Sequence, residues 1–157
     1  MKHAFQKGLG FGLTSGVITT LGIIMGLYTG SSSFYVVLSG VISIAVADAL
    51  SDSLGIHVSE EVDKRTTEKE VWVATFATLG SKFFVALTFL IPLFIVPLGW
   101  AVGIDIVWGA ILLSLFSYYI ARERKVSALH IILEHLFIML AVIVVTHVIG
   151  LLVVGLK

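Results

Sequence analysis

Five long apolar stretches, residues 9–28, 34–56, 71–95, 104–121 and 127–156, leave this chain few ways to fold. Each is close to the roughly 20 residues an apolar helix needs to cross a bilayer. Inside lipid a backbone must satisfy its own hydrogen bonds, which favours helices over open strands. A water-soluble domain would carry about 25% charged residues. This chain carries 13%, against 58% hydrophobic, with a mean hydropathy of +1.08. The expected fold is an all-α integral membrane protein, a single transmembrane domain over residues 1–157 with five transmembrane helices. The basic start, Lys2 and Lys7, leads into a long glycine-rich run, so it reads as a retained first helix and not as a cleaved signal.

The connections between these stretches set the orientation. A Gly-Ser-Ser-Ser turn spans residues 30–33, and "HVSEEVDKRTTEKE", residues 57–70, reads as a charged loop. Pro92 and Pro97 end the third stretch, because proline removes a helical hydrogen bond. Lys2, Lys7, Lys64, Arg65, Lys69, Arg122, Arg124 and Lys125 all fall on one side of a five-span chain. The other side has Lys157, and Lys82 lies within the third stretch. The positive-inside rule then puts the N-terminus in the cytoplasm and the C-terminus outside. The expected location is the plasma or inner membrane, with the lipid bilayer as constant partner. A formal net charge of zero argues against nucleic acid, and the lack of cysteine excludes disulfides and thiolate metal sites.

Glycines mark the first stretch at Gly8, Gly10, Gly12, Gly16, Gly22, Gly26 and Gly30. Spacing by four lets helix backbones approach closely in a membrane. That closeness serves packing within the chain, a dimer interface, or a narrow path. Ser15, Thr19 and Thr20 put hydroxyls on the same helix, where they line a path or bond back to their own carbonyls.

The second stretch holds "SIAVADALSDSL", with Asp48 and Asp52 four residues apart and so on one helical face. An ionised aspartate at the centre of a membrane helix costs ~2.5–3.5 kcal/mol on insertion scales. Compensation comes from a proton, a cation, a basic partner or water. Oxygen ligands on one face suit divalent ions such as Mn²⁺, Fe²⁺ or Mg²⁺. The plainer alternative is that Asp52 sits near the cytoplasmic end and is hydrated. In the fifth stretch, His130 and Glu134 repeat the spacing by four within "HIILEH". They join the aspartates as ligands or proton carriers, or they pair with each other, or Glu134 meets Lys82. Lys82 itself neutralises a carboxylate or snorkels to the interface. Asp105 opens the fourth stretch and reads as structural, at a helix N-terminus where a carboxylate suits the dipole. His147 reads as a packing histidine. Glu60 and Glu61 head the acids of the loop, which is either a solvated connection or a funnel concentrating cations at the cytoplasmic mouth. No nucleotide loop, nucleophile elbow or zinc-protease helix is present, so neither an enzyme nor a prosthetic group is expected.

"GLTSGVITTLGIIMGL", residues 12–27, resembles the first-helix motif of the vacuolar iron transporter family, built on Asp-Gly-Leu-Val-Thr-Thr. "LSGVISIAVADALSDSLGIHVSEE" is similar to that family's second helix, "FVALTFLIPLFIVPL" to its third, and "IARERKVSALHIILEHLFIMLAVIVVTHVIGLL" to the end of its fourth and all of its fifth. The resemblance implies five helices, a homodimer, and a cation path at the dimer interface lined by the first two helices. It implies export of Fe²⁺, and often Mn²⁺, from the cytoplasm in exchange for protons. Three departures stand out: Ser15 replaces the first-helix aspartate, Asp48 falls where the second helix has methionine, and the loop at 57–70 is too short for the helical cytoplasmic metal-binding segment of plant and eukaryotic members. Losing a thioether shifts the donors toward oxygen-preferring ions.

The expectation is a homodimeric exporter of divalent cations. Asp48 and Asp52 bind the ion, Ser15, Thr19 and Thr20 line the path, and Glu134 and His130 stand as second-choice ligands. The alternative is a non-transporting membrane assembly module whose intramembrane acids pair with a partner protein or with Lys82.

Overall fold

The computed structural model describes residues 1–156, so Lys157, the one base read as lying on the far side, falls outside the described residues. The helices are α1 (Lys2–Ser31), α2 (Phe34–Val62), α3 (Glu68–Thr88), α4 (Leu90–Ile95), α5 (Leu98–Arg124) and α6 (Ala128–Gly155). No strand occurs among the described residues. With α3 and α4 taken as one broken rod, five helices are long and apolar enough to cross a membrane.

The helices overrun the apolar stretches at several ends, for local reasons. α1 begins at Lys2 because its first turns are anchored: the N-terminal amine meets Glu70 at 2.7 Å, and Lys7 pairs with Glu60. α2 continues through His57 to Val62, so the expected loop at 57–70 shrinks to residues 63–67. Its last turns are held by His57, which bonds Thr75 at 2.9 Å and packs edge-on against Trp72. Asp63 then turns the chain, accepting from the Arg65 amide at 3.0 Å. Thr67 and Glu70 form a reciprocal capping box that starts α3. The break between α3 and α4 lies at Phe89, three residues before Pro92. The proline ring excludes the carbonyl four residues back, so the rod bends ahead of the proline and not at it. Pro97 caps the start of α5, which begins at Leu98, six residues ahead of the apolar run read from sequence.

α1 is the central helix, packed against α2, α3, α5 and α6. Its glycines explain how. A Cβ at Gly8 would strike the Ala74 backbone, and one at Gly12 would stand 2.6 Å from the Thr78 carbonyl oxygen. In that gap the Thr78 hydroxyl donates across helices to the Gly8 carbonyl at 3.1 Å. Gly22 and Gly26 meet Val142 and Thr146 of α6. Of the roles open to these glycines, packing within one chain accounts for both faces. Val17, Leu21, Val41, Phe89, Leu113 and Ile143 fill the core between helices. The exterior is apolar as well, with Tyr35 79%, Ile95 73% and Phe137 72% exposed. Helices apolar all round belong in lipid or inside a larger assembly, which is compatible with a multi-pass membrane protein.

Candidate functional site

Asp48 and Asp52 lie on α2, one turn apart, on the face toward α1 and α3. Lys82 of α3 lies between them. Its side chain is 2% exposed, and its ammonium meets Asp48 Oδ2 at 2.6 Å and also contacts Asp52 Oδ2. Ser15 of α1 completes the set: its hydroxyl donates to Asp52 Oδ2 at 2.7 Å and accepts from Lys82 Nζ at 2.9 Å. Gly16 is what lets α1 come so close, since a Cβ there would stand 3.3 Å from Lys82 Cγ. Of the compensations open to the two aspartates, a basic partner is the one found, and it comes from the same chain.

The charge count matters. One ammonium against two carboxylates leaves the set with a net charge of −1, one positive charge short of neutrality, when all three are ionised. The aspartate side chains keep 26% and 22% exposure, while the lysine is sealed. The carboxylates therefore have an open side from which a further positive charge can approach.

The other residues singled out by sequence fall elsewhere. His130 and Glu134 are exposed on α6, which packs on α1 and α5. Neither pairing weighed for Glu134, with His130 or with Lys82, forms among the described residues. No group of three or more histidine, aspartate or glutamate side chains able to hold a metal ion occurs among the described residues. Thr19 bonds back to the Ser15 carbonyl at 2.9 Å and lines an apolar groove between α1 and α6. Thr20 is 1% exposed, and its hydroxyl has no partner. Glu60 and Glu61 belong to the last turn of α2 and not to a loop. Glu60 is buried and paired with Lys7, while exposed Glu61 lies 3.5 Å from His57. His147 bonds Thr29 at 2.9 Å, as a packing histidine does.

Lys82 is the residue that the sequence named but did not assign to the site. A signal for it was available. Asp52 and Lys82 each lie fifteen residues from Thr67, and in an antiparallel helix pair such residues share a height.

Neither a protein-family model, nor a curated protein, nor a solved structure matches the chain. The meaning of the site rests on its own chemistry.

Proposed function

We propose that this chain is a multi-pass membrane carrier that moves divalent cations out of the cytoplasm in exchange for protons. The observation that carries the reading is the Lys82 ammonium lodged between Asp48 and Asp52. An intramembrane acid is by default a functional group, and here an internal cation sits where a transported one would bind. With two exchangeable protons, one on Lys82 and one shared by the aspartates, the set would be neutral. Replacing both by one divalent ion keeps it neutral. Exchange of two protons per ion is therefore the electrically balanced cycle, and Lys82 acts as the built-in competitor. The oxygen donors, two carboxylates and the Ser15 hydroxyl, suit Mn²⁺ and Fe²⁺ better than softer ions.

The bases gathered at the end that holds the N-terminus support a cytoplasmic N-terminus. A homodimer is supported by a line on α2: Ser39, Ser43, Ala47, Ser51, Gly55 and Ser59 recur every four residues, and all are exposed. Small residues so spaced suit a close helix crossing in lipid. Such a crossing would set the aspartates of two copies beside one axis, in keeping with the resemblance to vacuolar iron transporters.

The test is flux into proteoliposomes of Fe²⁺, Mn²⁺, Co²⁺ and Zn²⁺ at two pH gradients. Wild-type protein should move an oxygen-preferring ion with two protons counted per ion, and Asp48→Asn or Asp52→Asn should stop it in a folded protein. The same ion pairs also favour a second reading, a non-transporting module in which Lys82 is a permanent structural partner. Folded wild type that moves no metal would establish that reading in place of the first.

A further inference from the structure

Asp105 stands apart from the set just described. It is 0% exposed, and neither of its carboxyl oxygens has a hydrogen-bond partner among the described residues. The sequence suggests a helix-opening residue, but α5 begins at Leu98, so Asp105 lies two turns inside the helix and away from its N-terminal amides. Its neighbours on the inward face of α5 are Ala101, Val102 and Gly109, all buried. Gly109 packs directly on Val17 and Leu21 of α1. No charged residue approaches: the ion pairs of the described residues leave Asp105 out.

Two kinds of ligand compensate a carboxylate. A hard divalent cation needs six or more oxygens, or water in their place, and this site offers one carboxyl in an apolar core. A proton needs nothing more. We propose that Asp105 is an intramembrane proton-binding site, carrying a resident proton in the core of the bundle and distinct from the Asp48–Lys82–Asp52 set. Thr20 is the second observation. Its buried hydroxyl also lacks a partner, not even bonding back to its own helix. It follows Gly16, which touches Lys82, by one turn, and precedes Leu21, which touches Gly109. Thr20 thus stands, by register, between the two acidic sites.

The helices packed on α5 bring few other titratable groups. On α1, Tyr28 lies toward Gly99 at the start of α5, while Lys2, His3 and Lys7 lie at the opposite end. On α6, His135 is bonded to Ser117, His147 to Thr29, and His130 and Glu134 are exposed. α4 has none.

The test is infrared spectroscopy of the full-length protein in lipid nanodiscs, with aspartate labelled by ¹³C at the side-chain carboxyl. A protonated-acid C=O band that moves with the label is expected in wild type. It should persist in the double variant Asp48→Asn, Asp52→Asn, which removes any proton shared in the other set, and vanish when Asp105→Asn is added to that variant. If the added Asp105→Asn does not fold, Asp105→Glu in the same background serves: the labelled acid band disappears and an unlabelled one replaces it. No labelled acid band in wild type, or a band unchanged by substitution at Asp105, overturns the proposal. The band does not depend on metal flux, so failure of the transport reading and failure of this one are separate results.

Discussion

Replacing Lys82 by methionine removes one charge and little volume, and leaves two carboxylates one turn apart with no counter-ion. At 2.6 Å the Asp48 pair alone is worth roughly 6 kcal/mol of gross attraction at an effective dielectric of about 20. Desolvation offsets much of that, since taking ions out of water costs several kcal/mol each. Removing one partner of a buried pair nevertheless leaves the other uncompensated, which destabilises by about 3–5 kcal/mol. The partial exposure of both aspartates places the expected loss for Lys82→Met at the lower end, about 3 kcal/mol. The triple variant Lys82→Met, Asp48→Asn, Asp52→Asn has no charge to compensate and should recover most of the loss. The assay is equilibrium unfolding by SDS titration, followed by tryptophan fluorescence. Stability of Lys82→Met within about 0.5 kcal/mol of wild type, or no recovery in the triple variant, would refute the charge set as an energetic unit.

Other outcomes follow from single contacts. Gly12→Ala drives a methyl into Thr78 and Ser81 and should cost about 1–3 kcal/mol, whereas Gly103→Ala meets nothing within 4 Å and should be neutral or stabilising by up to about 1 kcal/mol in the same titration. Thr67→Ala removes half of the capping box of α3 and should cost about 1 kcal/mol, with faster amide exchange confined to its first turn. Ala47→Leu and Ser51→Leu place bulk on the exposed small-residue line of α2 and should abolish the proposed dimer on cross-linking in native membranes, with the fold retained.

The five helices long and apolar enough to cross a membrane could be read directly from the chain because hydrophobic length is a local property. No tertiary contact is needed to see that residues 127–156 suit lipid. The presence of an acid pair was equally legible, since a spacing of four fixes Asp48 and Asp52 to one helical face wherever that face points. Helix ends were less legible. His57 and Glu60 read as loop because they are polar, yet both stay helical, held by Thr75 and Lys7 on neighbouring helices. Polarity reports solvent preference, and a buried partner overrides it.

What the sequence determined by itself is the elements and the inventory: helices long and apolar enough for a bilayer, bases clustered in the connections, and a few charges within the apolar stretches that must be compensated. Only the tertiary structure decided which charge meets which. Lys82 could have met Glu134 or snorkelled away, and Asp105 could have capped a helix. Both outcomes depend on how far each helix extends and how closely α1 approaches α3. Gly8, Gly12 and Gly16 control that approach through contacts more than 60 residues apart in the chain. The strength of an ion pair falls with distance and with access to water, and neither quantity exists until the helices have packed.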